Sequence, residues 1–524
     1  MNSAPGQSLE NLLTSGGDTR LDIDPKTGRN RYACGARPGN AVPFGSCTSS
    51  TISPRGFSAA ERASEQILIA ANPELAANDL AITIRQRLGE LLTLPEGVDI
   101  ALAPSGTDVE MLALALAAGN DRRPIVNILV GPSEVGSGTP LASAGCHYDG
   151  QTPSGARVEI GQPVDRALAA GVDVRTVDLR SSRGDMLSES EIDAAVIELF
   201  IEASEADAIV LLHVVAHSKT GVHAPSLSCV ERLRKISDDV AVVVDAAQGR
   251  FSRRGLRDAL KNEYLVIFTG SKFYGGPPFC GALLVPPRSH PERRGLNALP
   301  AGFRDYFSAA ELPETWTNIR HSLPNEPNTG LLLRWSAAIA EIESYYKVPN
   351  DLRLSVLRFF EAEAPKILGE SKVIRMLPVF PPLYDDSTHR LLESKTTVFG
   401  FWITPPGARQ PLGKSELKQL HFDLTSDLSK TCDAADRKMM SQQFHVGQPV
   451  DLGHAGFILR VALGGELITR VATDTNIGKS IDDRLDWLRG QLLGLRQKIE
   501  CLAMRHASTT AQTTRSAVVA THNS

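Results

Sequence analysis

Five short apolar segments, separated by helical stretches, constrain the fold of this chain more than any other feature. They are apolar throughout instead of alternating with polar residues, and they lie at 126–130, 208–213, 240–244, 265–268 and 281–285. Runs of this length and composition predict strands that are buried on both faces, as in a parallel sheet covered by helices. The first half of the chain is therefore predicted to form an α/β domain.

A chain of 524 residues is too long for one compact core, so more than one domain is expected. Shifts in composition place a Gly-, Ser- and Pro-rich arm first, then a large domain, a smaller α+β domain and a Ser-, Thr- and Ala-rich tail that is predicted to be disordered. The predicted boundaries are 1–55, 56–320, 321–505 and 506–524.

The smaller domain is predicted from the alternation of helical and strand patterns after the large domain. A linking helix is expected at 329–346, and strands are expected at 398–403 and 457–463. A helical stretch at 415–428 lies between these strands, and a long amphipathic helix is expected at 480–504. This mixture indicates an α+β unit.

Charge and cysteine content exclude several classes of protein. A net charge of -5 is not the clustered positive charge that a nucleic-acid-binding surface needs. The seven cysteines are odd in number and contain no CxxC pair, so neither a disulfide framework nor a zinc site is expected. No stretch approaches the roughly 20 apolar residues of a membrane span, and residues 1–14 lack a secretory pattern. We expect a cytoplasmic enzyme with a small-molecule substrate.

Two polar residues stand at the ends of predicted buried strands. Asp245 ends one apolar run, and Lys272 follows another beside hydroxyls and glycines. Ligands bind at the carboxyl ends of strands in open α/β sheets, because the loops there converge on a crevice. A desolvated lysine can form a Schiff base with an aldehyde cofactor, and an aspartate can keep a pyridine nitrogen protonated. The pair indicates cofactor chemistry at this edge.

A small, hydroxyl-bearing loop opens a predicted helix earlier in the chain. Its residues Ser105, Gly106 and Thr107 precede the helical stretch 111–118. Free backbone N–H groups and the positive end of the helix dipole at such a start favour a phosphate. The hydroxyls of Thr269 and Ser271 are expected to add donors from the opposite side.

Four segments together resemble the fold type I superfamily of enzymes that depend on pyridoxal 5'-phosphate (PLP). In order and spacing they are most similar to the class V aminotransferase and cysteine desulfurase-like group. The match covers about residues 55–340 well and 390–500 loosely. Each segment alone is a weak signal and the four in order are a strong one; they are Ser105–Thr107, His217–Gly221, Asp245–Gln248 and Thr269–Lys272.

This resemblance implies the fold, the cofactor and a set of roles. The fold would be a large domain with a mostly parallel, seven-stranded sheet and a smaller C-terminal domain. Lys272 would carry PLP, Asp245 would hold the pyridine nitrogen, and Gln248 would lie near the phenolic oxygen. His217 would be a further neighbour of the ring. The hydroxyls and backbone of Ser105, Gly106, Thr107, Thr269 and Ser271 would hold the phosphate.

The resemblance also implies contacts beyond the cofactor. Thr329, in the segment 328–330, looks like the family residue that reaches the phosphate of the neighbouring subunit, which implies a homodimer. Arg460 is similar to the strand arginine that pairs with the α-carboxylate of the substrate. Arginine suits this role because its planar guanidinium makes two parallel hydrogen bonds to a carboxylate.

Two departures from the family pattern separate this chain from its desulfurase members. Val135 stands where the family stacks an aromatic ring on the pyridine, so either a distant ring such as His147 takes that role or the pocket differs. The segment 445–449 stands where desulfurases carry a nucleophilic cysteine on a mobile loop, and it contains no thiol. Cys432 lies earlier, in a polar context. Persulfide chemistry is therefore disfavoured.

The expected function is a PLP-dependent enzyme that acts on an amino acid or amine through an external aldimine and a carbanion. An aminotransferase-like transferase is favoured. The alternatives are a lyase or β/γ-replacement enzyme of biosynthetic bond formation, and a PLP-fold protein that binds without turnover. The last alternative predicts a missing lysine or aspartate, and both Lys272 and Asp245 are present.

Overall fold

The computed structural model describes residues 8–522 of the chain, which form two β-sheets surrounded by helices. The strands are β1 (Val42–Phe44), β2 (Asp99–Ala103), β3 (Ile125–Val130), β4 (Val172–Val177), β5 (Ile209–Val215), β6 (Val240–Ala246), β7 (Leu265–Thr269), β8 (Gly281–Val285), β9 (Ile374–Met376), β10 (Val398–Ile403), β11 (Phe444–Asp451) and β12 (Phe457–Ala462).

The α-helices precede, separate and follow these strands. They are α1 (Leu9–Leu13), α2 (Pro54–Leu68), α3 (Pro73–Leu92), α4 (Gly106–Ala118), α5 (Thr139–Ser143), α6 (Arg166–Ala170), α7 (Glu189–Glu205), α8 (Leu227–Ile236), α9 (Arg253–Lys261), α10 (Thr317–His321), α11 (Thr329–Lys347), α12 (Asn350–Gly369), α13 (Lys414–Leu424), α14 (Arg437–Met440), α15 (Gly465–Thr473) and α16 (Ile481–His522).

The larger sheet has seven strands in the order β2-β8-β7-β6-β5-β3-β4. Neighbouring strands pair in parallel along β4-β3-β5-β6-β7, whereas β8 runs antiparallel to both β7 and β2. Every residue of β3, β5, β7 and β8 is buried, because helices cover both faces of the sheet. The mostly parallel, doubly covered sheet predicted from the five apolar runs is confirmed.

The apolar runs did not reveal two strands of this sheet. The edge strand β4 is mostly half-exposed, so its sequence lacks the continuous apolar character of a strand buried on both faces. Strand β2 leads directly into α4, whose residues are almost all buried between the sheet and the rest of the large domain. This strand–helix junction places the predicted phosphate loop at the carboxyl end of β2.

The smaller sheet has the order β1-β11-β12-β10-β9 and draws a strand from the N-terminal arm. Strand β1 pairs in parallel with β11, with Val42 opposite Phe444 and Phe44 opposite Val446. Short-range sequence patterns carry no information about a partner some 400 positions away, and β1 has only three residues. The arm is therefore part of the folded small sheet.

Two further differences from the sequence predictions concern the C-terminal part. The segment 445–449, expected as a loop, lies within β11, where its pairing with β12 is interrupted by a register shift between Gly447 and Val450. The tail from residue 506, expected to be disordered, continues α16 as far as His522, and this stretch contains neither Gly nor Pro to end a helix. The last two residues lie outside the described range. A helix is present where the linking helix was predicted, as α11, and its role as a link between domains stays a prediction.

Candidate active site

A cavity of about 260 Å³ lies where the carboxyl ends of β2, β3, β5, β6 and β7 converge. Two of its walls have different origins. The sheet wall comes from the strand ends and comprises Ser105, Gly106, Thr107, Asp245, Gln248, Thr269, Ser271 and Lys272. The arm wall comes from the N-terminal segment and comprises Arg20, Tyr32, Cys47, Thr48 and Ser49.

Lys272 lies three residues beyond the end of β7 and is half-buried in the sheet wall. Burial lowers the pKa of its ammonium below the usual value, and the positive charges of Arg460 and Arg250 act in the same direction. The negative charge of Asp245 opposes this shift. A lysine with a lowered pKa has more of the neutral amine that attacks a carbonyl, so the environment suits Schiff-base chemistry.

Asp245 occupies the carboxyl end of β6, in register with Val215 of β5 and Ile267 of β7. The backbone N–H of Ala247 donates to its carboxylate at 3.0 Å. The central position in the sheet leaves this carboxylate at the floor of the cavity, where it can face a ring nitrogen of a bound ligand.

Behind Asp245 lies a buried acid–histidine pair that sequence patterns did not reveal. The Oε2 atom of Glu110 lies 3.3 Å from Nε2 of His213, and both side chains are about fully buried. Burial, reinforced by the charge of Asp245, raises the pKa of Glu110 well above its usual value, and burial lowers the pKa of His213 to about 3. Burial therefore favours the neutral form of both groups.

The predicted phosphate loop forms the N-terminus of α4 with a complete capping box. The Ser105 hydroxyl and backbone N–H donate to Asp108 at 2.6 and 2.7 Å, and the Asp108 N–H donates back to Ser105 Oγ. A Cβ on Gly106 would meet Ala247 and Thr269 side-chain carbons at 3.5 Å, so the loop packs closely against the strand ends. The first-turn N–H groups open towards the cavity floor, as anion binding requires.

Arg20 of the arm reaches this helix terminus, which the sequence predictions missed. Its guanidinium donates to Thr107 Oγ1 at 3.3 Å and to Ser105 Oγ at 3.2 Å. Asp18 holds it through hydrogen bonds of 2.8 and 2.5 Å, and it lies over the Phe279 ring at 4.8 Å. A guanidinium beside two hydroxyls and a helix N-terminus is a strong anion site. Only the fold brings residue 20 to residue 105.

The other predicted cofactor contacts on the strand ends also line the cavity. Thr269 Oγ1 donates to the carbonyl of Ala247 at 2.6 Å, and Ser271 is buried beside it. The Gln248 amide donates to the Cys47 carbonyl at 2.9 Å, which joins the two walls. Its Oε1 atom is buried and has no hydrogen-bond partner among residues 8–522.

The residues considered as neighbours of the cofactor ring lie in different places. His217 lines the cavity, and burial, with the charges of His223 and Arg250, lowers its pKa to about 3. Val135 also lines the cavity and is buried. His147 instead pairs with the Tyr306 hydroxyl at 2.6 Å and does not line the cavity, so its proposed role as a substitute ring is wrong. The pocket differs from the family pattern at this position.

Arg460 projects from the central strand β12 of the small sheet into the same cavity. It donates to the carbonyls of Lys219 and Gln448 at 3.1 and 2.9 Å, and to Thr48 Oγ1 at 2.8 Å. It is 2% exposed, and among residues 8–522 no carboxylate lies within salt-bridge distance of it. A buried, unpaired guanidinium is costly unless a ligand supplies the anion.

Thr329 lies outside this cavity. It opens α11 and lines a separate cavity of the same chain, where the preceding Asn328 caps the helix and donates to the Gly16 carbonyl at 2.8 Å. Its expected contact is with a neighbouring subunit, which a single chain does not contain. The role of Thr329 and the homodimer stay predictions.

A thiol does line the cavity, although not where desulfurases carry theirs. All seven cysteines are free, and Cys47 of the arm wall is almost fully buried. A Cβ on Gly447 would lie 2.5 Å from its sulfur, so the arm can pack on β11 only because residue 447 is glycine. Cys432 follows a short 3-10 helix and does not line the cavity.

Two kinds of feature are not found in residues 8–522. No cluster of three or more His, Cys, Asp or Glu side chains has an arrangement that could hold a metal ion. No helix in this range combines the length and apolar character that crossing a membrane requires.

Comparison with known proteins shows the fold. No protein-family model and no curated protein sequence matches the chain. The cystine C-S lyase C-DES, in complex with its reaction product cysteine persulfide, superposes with a TM-score of 0.52 at 16% identity, covering 87% of this chain and 98% of that chain. A C-DES mutant with glycine covalently linked to its PLP cofactor gives 0.53 at 13% identity, with 87% and 97% covered.

Rice (Oryza sativa) TDC with PLP superposes less closely, with a TM-score of 0.47 at 12% identity, covering 88% of this chain and 83% of that chain. The superposition on C-DES covers 87% of this chain. The chain has the fold of fold type I PLP-dependent enzymes, as the four segments predicted.

Proposed function

We propose that this protein is a PLP-dependent enzyme that acts on an amino acid. The observation that carries the proposal is the convergence of three elements on one cavity: Lys272, Asp245 and the helix terminus at Ser105–Thr107. These elements lie at the ends of three different strands, and the cavity is at the position where open α/β sheets bind ligands.

The residues present fit the cofactor at each of its polar groups. The phosphate is matched by the first turn of α4, by the hydroxyls of Ser105 and Thr107, and by the Arg20 guanidinium. Asp245 supplies the anion for a pyridinium nitrogen, and Lys272 supplies an amine with a lowered pKa. When bound, PLP supplies a protonated ring that withdraws electrons from a bond at the substrate α-carbon.

The chain's own residues have distinct tasks in such a reaction. Asp245 would face the ring nitrogen of the bound cofactor, and behind it burial favours the neutral forms of Glu110 and His213. Lys272 would take and return a proton at the substrate α-carbon as a general base. Arg460 orients the α-carboxylate with its planar fork.

We favour an aminotransferase-like reaction for two reasons. Proton transfer by a single lysine is sufficient for transamination. The segment 445–449, which stands where desulfurases carry a cysteine on a mobile loop, lies in strand β11 and contains no thiol. A lyase is the second candidate. The observation that favours it is a second lysine in the same cavity, Lys219, whose pKa is lowered to about 8 by burial and by Arg460 and Lys272. An ammonium with such a pKa can donate a proton to a leaving group near neutral pH.

The test of the proposal is to identify the residue that carries the cofactor. Purified protein would be incubated with PLP, reduced with borohydride and mapped by peptide mass spectrometry. We expect PLP on the peptide that contains Lys272 and none after the Lys272→Ala change. Modification of a different lysine in the unchanged protein, with Lys272 unmodified, would contradict the proposal.

A second measurement separates the two reaction classes. Incubation with single amino acids should convert the bound cofactor to its amine form and release one keto acid for each cofactor, with no further turnover until a keto acid is added. Continuous formation of keto acid with release of a side-chain group would instead assign the lyase.

We further propose a cytoplasmic homodimer in which Thr329 reaches the phosphate site of the neighbouring subunit. The proposal is supported by the position of Thr329 at the start of α11, where it lines a cavity of its own chain. Sedimentation of the protein should give twice the mass of the chain. Mixing Lys272→Ala with Thr329→Ala chains should restore activity at one of the two sites of a mixed dimer.

A further inference from the structure

Lys219 presents a positive charge in the candidate active site that the favoured aminotransferase-like reaction does not use. It lies in the turn between β5 and α8, and its side chain lines the cavity. Its Nζ donates to the Ser133 carbonyl at 3.1 Å, and no carboxylate in the described part of the chain comes within 4 Å of it. An ammonium in a partly desolvated site without an anion indicates that a ligand supplies one.

Each carboxyl group that lines the cavity already has another partner or an assigned role. Glu134 accepts from Arg180 at 2.7 Å and from the Ser218 hydroxyl at 2.5 Å. Burial favours the neutral form of Glu110 beside His213. Asp245 is assigned to the ring nitrogen by the proposed function. The charges of Glu134 and Asp245 act on Lys219 from a distance, but neither carboxylate forms an ion pair with it.

The cations that line the cavity divide into two groups: those already paired or assigned to the cofactor, and those without a carboxylate partner. Arg20 is paired with Asp18, and Lys272 is assigned to the cofactor by the proposed function. This leaves Arg460 and Lys219, each without a carboxylate partner within residues 8–522. One carboxylate of a simple amino acid would neutralise only one of them.

The two cations without a carboxylate partner lie on neighbouring parts of the site, and burial and the charge of Arg460 lower the pKa of Lys219. The guanidinium of Arg460 donates to the carbonyl of Lys219 itself at 3.1 Å. The turn that carries Lys219 is fixed from behind, because its N–H donates to the Glu134 carbonyl at 2.8 Å and Ser218 binds the Glu134 carboxylate. The backbone of residue 219 is therefore fixed beside the Arg460 guanidinium.

We propose that the substrate is an amino acid with a second acidic group on its side chain, with its α-carboxylate on Arg460 and its side-chain acid on Lys219. This inference rests on the proposed function, because it assigns the α-carboxylate to Arg460. Together, Arg460 and Lys219 would favour an amino acid with two acidic groups over an isostere whose side chain is neutral. The neutral side chain leaves Lys219 without an anion.

The experiment compares acid and neutral partners of the same shape on the PLP-loaded protein. Dissociation constants would be measured from the cofactor absorbance for aspartate and asparagine, glutamate and glutamine, and O-phosphoserine and serine. We expect at least one acid to bind about tenfold or more tighter than its neutral partner. In Lys219→Met this preference should vanish through weaker binding of the acid, with neutral partners changed by less than about twofold.

Two variants serve as controls. Lys219→Arg keeps the charge and should keep the preference, which separates charge recognition from proton donation by the lysine. Lys235→Met removes an exposed lysine from α8 and should bind every ligand as the unchanged protein does.

Three outcomes would overturn the inference: no acid is preferred, the preference survives in Lys219→Met, or Lys219→Met weakens acid and neutral partners equally. Each of these leaves the proposed function standing if the protein still takes up PLP on Lys272. Failure to take up PLP on Lys272 would instead contradict the proposed function itself.

Discussion

The two walls of the cavity differ in how their residues are brought together. The sheet wall takes its residues from strand ends, so each side chain follows a buried strand and the parallel sheet aligns them at one edge. The arm wall comes from a segment with little regular structure, held by three residues of β1 and by single contacts such as Arg20 to Thr107. We infer that chemistry resides in the sheet wall, and that cofactor retention and substrate fit depend on the arm wall.

The largest effect is expected from the sheet wall. Asp245→Asn keeps the size of the side chain but removes the charge that holds a proton on the ring nitrogen. Activity should fall by about 10²- to 10⁴-fold. The absorbance spectrum should show that PLP is still bound to Lys272. Loss of cofactor together with activity would show that Asp245 acts in binding. It would contradict the assignment of chemistry to the sheet wall and of cofactor retention to the arm wall.

The next largest effect is expected on PLP binding, and it tests whether the arm wall holds the phosphate. Arg20→Met should weaken PLP binding by about 10- to 100-fold, because a charged group with two hydrogen-bonding neighbours is lost. Binding of pyridoxal, which lacks the phosphate, should not change. Equilibrium fluorescence titration measures both. Arg37→Met is the matched control, since Arg37 belongs to the same arm, is mostly exposed and pairs with Glu10. Equal weakening of PLP and pyridoxal would indicate a purely structural role.

A pH dependence follows from Lys219, whose pKa is about 8. The ammonium is charged below this pH and neutral above it, so the preference for acidic over neutral amino acids should decrease as pH rises through about 8. The charged groups that act on Lys219 are Arg460, Lys272, Glu134 and Asp245. Lys219→Arg should keep the preference at pH 9. A preference that is unchanged between pH 7 and pH 9 in the original protein would contradict this assignment.

The smallest effect concerns a single hydroxyl of the arm wall. Thr48 Oγ1 accepts a hydrogen bond from Arg460 at 2.8 Å, and Thr48→Val removes that acceptor with little change in volume. We expect KM to rise by about 3- to 10-fold with kcat nearly unchanged, since the guanidinium loses one of its positioning bonds. PLP affinity should remain the same. A fall in kcat at unchanged KM would place Thr48 in the chemistry instead.

The sheet wall was predictable because its signals are local. An apolar run followed within a few residues by a polar side chain identifies both a buried strand and the group at its end, as for Asp245 after β6 and Lys272 after β7. The same logic placed Ser105–Thr107 at the start of α4. Arg20 and the Glu110–His213 pair gave no such signal, because each is defined by contacts with distant residues.

The sequence by itself determined the parallel sheet, the order of the polar strand ends and hence the class of fold, since these depend on hydrophobic periodicity and on spacing along the chain. Only the tertiary structure decided that β1 of the arm pairs with β11, that Arg20 meets the phosphate loop, that His147 lies away from the cavity and that Arg460 and Lys219 share it unpaired. The physical reason is that pairing across hundreds of residues is selected by burial and hydrogen bonding in the folded state, which leave no periodic trace in the chain.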